Sequence, residues 1–163
     1  ETFLAGLNLF LDENPDAEIE TTFYGLNYYP AQIDRIKKAA GKAKVLFTDK
    51  VPHERMLKEL ASSHLQLLLA TPEKHQVYGK VFDYIASGRP TLMVENDKGP
   101  LEWILGFQKN SAVASTPEEV AKYLKEQYYN PEKQKRLNRE SDNFTRRNKT
   151  GEFAKLILKS LEN

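Results

Sequence analysis

The feature that most constrains this chain is its alternation between two apolar periods. Short apolar or β-branched runs recur: Glu18–Tyr24 (EIETTFY), Lys44–Phe47 (KVLF), Leu65–Ala70 (LQLLLA), Thr91–Val94 (TLMV) and Ala112–Ala114. Between them, apolar residues fall at the spacing of one helix face. Phe3, Leu4, Leu7, Phe10 and Leu11 mark the first such face, and Asn14-Pro15-Asp16 stops it. Pro30 opens a helix that Gly41 closes, and Pro52 opens one carrying Met56, Leu57 and Leu60. A helix over Tyr78–Ser87 is capped by Gly88, with Pro90 beyond it. Gly99–Leu105 suits a short helix, and Thr116-Pro117-Glu118-Glu119 is a capping box that starts another, running to about Tyr129. Pro131 starts a further helix, and Gly151–Leu161 forms the last. Short strands separated by helices predict an α/β fold with a doubly wound, mostly parallel sheet and helices on both faces. Leu65–Ala70 has almost no polar alternation, so it is expected to be buried on both sides.

The 163 residues form one ordinary domain, long enough to bury a core. The chain starts without Met and already inside an amphipathic pattern, so a piece of a longer protein is expected. With no cysteine there is no disulfide, thiolate nucleophile or cysteine zinc site, which fits a cytoplasmic protein. A net charge of +1 gives no field to draw nucleic acid. No apolar run approaches the roughly 20 residues of a membrane span. No cluster of histidines or carboxylates argues for a metal.

In a parallel sheet, ligands bind outside the carboxyl ends of the strands. That rule selects the loops Gly25–Tyr29, Thr48–His53, Thr71–Gly79 and Glu95–Gly99. The third leads into the helix Tyr78–Gly88, YGKVFDYIASG, with Val81, Phe82, Ile85 and Ala86 as its buried face. Gly79 lies in the first turn, where backbone N–H groups lack partners and the helix dipole favours an anion. Lys80 adds a positive charge, and Asp83, one turn further, is within reach of hydroxyl donors. Phosphate at the helix start and a diol one turn in are the two ends of a ribose diphosphate. Singly the residues have plainer readings: Lys80 and Asp83 are three apart and suit a surface ion pair.

Taken whole, YGKVFDYIASGRPTLMV resembles the corresponding segment of the group 1 glycosyltransferases of GT-B architecture. The shared features are Gly79, Asp83, Ala86-Ser87-Gly88, Pro90 and the strand Thr91–Val94. Tyr24-Gly25, Phe47–Pro52, Gly99–Glu102 and the tail around Phe144 and Phe153–Leu161 are similar to other parts of that family's C-terminal domain. The resemblance implies a Rossmann-like donor domain, the C-terminal half of a GT-B fold. It would bind a nucleotide-diphosphate sugar as substrate, with no cofactor and no metal. It implies Asp83 for the ribose hydroxyls, Gly79 and Lys80 near the diphosphate and donor sugar, Val51-Pro52 near the base, and the strand-end Gly25 within the donor-binding set. Many members carry two glutamates eight positions apart. Eight before Asp83 stands His75, with Glu73 out of register. No catalytic residue is assigned, and His75 reads either as a hydrogen-bond partner of the donor sugar or as an ordinary loop histidine. The acceptor, a glycan or a lipid-linked glycan, would be bound by an N-terminal domain outside this chain.

Other residues carry plainer expectations. His53 and His64 are lone histidines, His64 structural at a strand edge. Tyr24, Tyr28 and Tyr29 are expected to pack rather than stack on a base, and Trp103 to lie in the core. The basic stretch Glu132–Thr150 reads as a solvated helix face, with contact to anionic lipid at the inner membrane surface as the alternative. The sequons at Asn143 and Asn148 read as chance. Two other functions stay open: an epimerase-type enzyme acting on nucleotide sugars, and a non-catalytic interaction domain that keeps the fold.

Overall fold

The structure is a computed structural model describing residues 1–70, 77–95, 98–134 and 144–161. In chain order it has α1 (Thr2–Glu13), β1 (Glu20–Tyr24), α2 (Pro30–Ala40), β2 (Lys44–Thr48), α3 (His53–Ser62) and β3 (Gln66–Leu69). Then follow α4 (Lys80–Ser87), β4 (Thr91–Val94), α5 (Pro100–Leu105), β5 (Ala112–Ala114), α6 (Pro117–Tyr129) and α7 (Arg146–Leu161). Pro131–Gln134 is a 3-10 turn rather than the α-helix its proline suggested, and α7 begins five residues earlier than Gly151.

All strand pairs are parallel, so the α/β class stands. The strands form two small sheets, β1-β2 and β3-β4-β5, where a single sheet was expected. Glu20 pairs with Lys44 and Tyr24 with Thr48 in the first; Gln66 pairs with Thr91, and Leu92 with Ala112, in the second. The division follows from the backbone: β1 and β3 each have a partner on one side only.

Helices cover two faces. On one, α1, α2 and α6 share a core: Phe3, Leu4, Leu7, Phe10 and Leu11 of α1 meet Val120 and Leu124 of α6. Leu92, Val94 and Ala114 from the second sheet join this cluster, and Val45 from the first packs against it. α1 therefore bridges both sheets. Its Gly6 permits the close approach to α6: a Cβ there would lie 2.5 Å from both Pro117 O and Val120 Cβ. On the opposite face, Leu68 and Met93 bury against Val81 and Ile85 of α4 and Leu101, Ile104 and Leu105 of α5. Alternate residues along β4 thus serve opposite cores, as strand geometry requires.

The helix ends obey local chemistry. Thr116 Oγ1 accepts from Glu119 N at 3.3 Å while Glu119 Oε2 accepts from Thr116 N at 3.3 Å, completing the capping box. Gly88 ends α4 in the left-handed conformation at φ 70°. The predicted burial of β3 is half right. Leu68 is buried, but Leu69 is 50% exposed where its partner Val94 is 3% exposed, because among the described residues β3 is the edge strand of its sheet. Among the described residues no helix is long and apolar enough to cross a membrane.

Candidate functional site

Two loops at the strand carboxyl ends build a hollow of about 260 Å³ lined by Tyr24, Gly25, Lys50, Val51, His53 and Met56. Gly25 follows β1 directly, and its N–H donates to Thr48 O at 2.8 Å, extending the ladder by one rung. Its φ is +75°, the left-handed region, so a side chain here would strain the turn that opens the hollow. Val51 lines the hollow as well, and Pro52 stands just before α3 at its N-cap position. Tyr24 is half-buried behind them. Its hydroxyl is raised above the usual tyrosine value, first by burial, then by the charge of Glu59 and a hydrogen bond to it.

His53, the first residue of α3, is the link to the second part of the site. Its Nε2 lies 3.1 Å from Asp83 Oδ2 on α4, across thirty residues of sequence. Asp83 therefore does not pair with Lys80 as their spacing suggested. Instead it meets His53 of α3, a residue that lines the hollow. Lys80 Nζ sits 5.4 Å from the centre of the Tyr78 ring. The residue is exposed overall, yet desolvation around its ammonium lowers its pKa below the ordinary lysine value. Gly79 caps α4 in a right-handed conformation rather than lying inside its first turn, and a Cβ built on it meets nothing within 4 Å. The backbone there is open to a ligand.

The buried face of α4 differs from the one its apolar residues suggested. Val81, Ile85 and Ser87 are buried, whereas Phe82 is 38% exposed and Ala86 is exposed. The reason is polar. Ser87 Oγ accepts from Gln66 Nε2 at 2.5 Å and donates to Tyr84 O at 2.6 Å, and Thr91 Oγ1 reaches Gln66 Oε1 at 3.4 Å. Gln108 Nε2 adds bonds to Arg89 O and, at 3.5 Å, to Tyr84 O. This network ties the Ala86-Ser87-Gly88 turn to β3, so α4 starts at a fixed distance from the carboxyl ends. Tyr84 is half-buried, and burial with the neighbouring Asp83 charge raises its hydroxyl above the usual value.

The structure thus brings Gly25 and Val51 to one hollow, with Pro52 between the lining residues Val51 and His53, and Asp83 contacts His53. Gly79 and Lys80 lie at the start of the helix that carries Asp83. His75 and Glu73 lie outside the described residues. Lys50, Met56 and the pairing role of His53 were missed. The rule that picked the loop Thr48–His53 was the available signal, since it places His53 beside the β1 loop. Trp103 is not core: it is 64% exposed, edge-on to Phe107 at 4.8 Å. Tyr28 and Tyr29 are exposed rather than packed, and His64 is an exposed residue before β3. In the basic stretch, Lys133 pairs with Glu126 and Lys149 with Glu152, all solvent-facing; residues 135–143 and the Asn143 sequon position lie outside the described residues. Among the described residues no group of three His, Asp or Glu is placed to hold a metal ion. No family model, curated protein or solved structure matches this chain.

Proposed function

We propose that this chain is the Rossmann-like donor half of a GT-B glycosyltransferase, binding a nucleotide-diphosphate sugar for transfer to a glycan or lipid-linked acceptor held by another domain, on the cytoplasmic side. The observation that carries the reading is a base-sized hollow lined by Gly25, Val51 and His53, whose histidine contacts the carboxylate of Asp83, one helical turn from the helix start at Gly79 and Lys80. The base enters the hollow, the ribose hydroxyls donate to Asp83, and the diphosphate lies over Gly79 and the Lys80 ammonium. Chemistry on this side is electrostatic: the positive dipole end of α4 and the Lys80 charge stabilise the negative charge that develops on the leaving diphosphate. His75 is the candidate contact to the donor sugar.

Calorimetry with UDP, GDP and TDP tests this. At least one is expected to bind with Kd near or below about 1 mM, a free energy of about 4 kcal/mol. Asp83→Ala is expected to weaken that binding by about 1–3 kcal/mol, the cost of leaving a hydrogen-bonding partner unpaired. No binding of any of the three by folded protein overturns the reading, and an unchanged affinity in Asp83→Ala removes Asp83 from the site.

A further inference from the structure

We propose that the turn joining α1 to β1, together with the end of α6, forms a binding site for a primary alkylammonium group. The site is independent of the nucleotide reading. It lies by the amino end of β1, whereas Gly25 follows the carboxyl end, roughly 17 Å away along the strand.

α1 and α6 stop in the same way. α1 runs into Asn14-Pro15 and α6 into Asn130-Pro131. A proline disfavours helical backbone in the residue before it. Each asparagine folds its amide back onto its own helix: Asn14 Nδ2 donates to Phe10 O at 2.7 Å, and Asn130 Nδ2 to Glu126 O at 2.7 Å. The two helices run side by side in the same sense, Gly6 against Val120 and Phe10 against Tyr128. Their ends are tied by the Tyr129 hydroxyl, which donates to Asn14 Oδ1 at 2.8 Å. Two negative dipole ends therefore lie together, and neither helix has a basic residue in its last turn.

A hollow of about 400 Å³ opens at this junction, lined by residues 13–17, Tyr128 and Tyr129. Small-ligand pockets span roughly 300–1,000 Å³. The two tyrosine rings meet at 5.3 Å and 80°, which makes a corner with two walls. Tyr128 is held from behind by the buried Phe10, at 5.5 Å, and its hydroxyl accepts from Glu18 N at 3.3 Å. Tyr129 is held by its bond to Asn14. The rings are nevertheless 37% and 58% exposed, so their faces are both fixed and accessible.

The lining selects the ligand. Its charged groups are both carboxylates, Glu13 and Asp16, and Asn14 directs its amide inward to Phe10 O. A neutral sugar needs donors as well as acceptors and finds few here. A bare metal ion needs more ligands: among the described residues no group of three His, Asp or Glu is placed to hold one. A primary ammonium on an apolar stem meets every feature. Its N–H groups donate to the carboxylates, and its charge and stem lie against the rings. The protein already makes this contact once, since Lys125 Nζ lies 3.2 Å from Glu13 Oε2 with both side chains more than half exposed. Asp16 has no ion pair among the described residues, so its charge is left for an incoming ammonium.

Amide shifts of the isotope-labelled protein, titrated with n-pentylammonium chloride, test this. Sodium chloride at equal ionic strength and 1-pentanol are the controls. Saturable shifts with a millimolar Kd are expected at Asn14, Asp16, Ala17, Tyr128 and Tyr129, and not at Gly25 or His53. Asp16→Asn and Tyr129→Ala are each expected to weaken binding about two- to fivefold. Tyr129→Phe, which keeps the ring, is expected to stay within about twofold of the parent. No saturable shift beyond that of sodium chloride overturns the proposal. So does 1-pentanol binding as tightly as the amine, because the hollow is then only an apolar crevice. Parent affinity in Asp16→Asn or in Tyr129→Ala overturns it too, as does Tyr129→Phe binding as weakly as Tyr129→Ala. If Tyr129→Ala loses the folded spectrum, Asp16→Asn decides, since Asp16 is an exposed turn residue.

Discussion

β4 and β1 both belong to parallel sheets, but they live in different surroundings. β4, TLMV, is paired on both sides and buried at every residue. β1, ETTFY, is paired on one side among the described residues and buried at none. Composition and the number of flanking strands both separate them. Burial, and with it stability, is therefore concentrated around β3-β4-β5. The smaller sheet holds its shape through the α1 core and the Phe23–Phe47 stack at 5.9 Å. The loops that carry Gly25 and Val51 grow from this less buried sheet, and α4 with Asp83 packs on the more buried one. Such a site has one firm wall and one adaptable wall.

The sharpest way to break this comparison is to remove the same side chain from each sheet. Leu92→Ala in β4, where the leucine is 0% exposed, is expected to cost about 2–5 kcal/mol by urea unfolding, from lost burial and the cavity left behind. Leu46→Ala in β2, where it is 41% exposed, is expected to cost less than about 1 kcal/mol. Equal costs would mean that the two sheets are equally buried in solution.

The bridge between the sheets comes next. Gly6→Ala pushes a methyl into Pro117 O and Val120, where backbone on both helices must give way. Forced overpacking of this kind costs about 1–3 kcal/mol. Because α1 serves both sheets, thermal unfolding is expected to stay a single transition at a lower midpoint. A new early transition would show that the two-stranded sheet melts separately. Thr116→Ala is smaller, about 1 kcal/mol, and local to α6, since it removes only the bond to Glu119 N. It therefore calibrates how much of the Gly6 effect is transmitted through α1.

How far the sequence made this legible follows from the range of the forces involved. The α6 start was readable because Thr116, Pro117 and Glu119 act within one turn. The α/β class was readable because the change of apolar period is local too. The α4 face was misread because Ser87, a polar residue, is buried by a bond to Gln66, twenty-one positions away. Trp103 was misread because an amphipathic pattern shows which face is apolar and not whether anything lies against it. The separation into two sheets depends on which strands find partners, which no window of sequence contains. For the site, the loops were legible from strand order, and Gly25 and Val51 line one hollow. The partner of Asp83 was not, because His53 reaches it across two helices.

That pair gives the smallest expected change in stability and the most selective one in binding. His53 and Asp83 are joined at 3.1 Å, but the histidine side chain is 69% exposed. An exposed pair of this kind contributes about 0–1 kcal/mol. His53→Ala is therefore expected to leave the urea midpoint almost unmoved. It also frees Asp83 Oδ2 from its bond to His53, while leaving the carboxylate in place. If the pair only decorates the surface, His53→Ala changes neither stability nor nucleotide affinity. If the two walls of the site act together through it, affinity falls in His53→Ala while stability does not. Asp83→Ala then weakens binding further, because it removes the acceptor as well as its orientation. Calorimetry on the two variants beside their urea midpoints separates these cases. The second pattern would show that the histidine on the less buried wall directs the carboxylate carried by the firmer one.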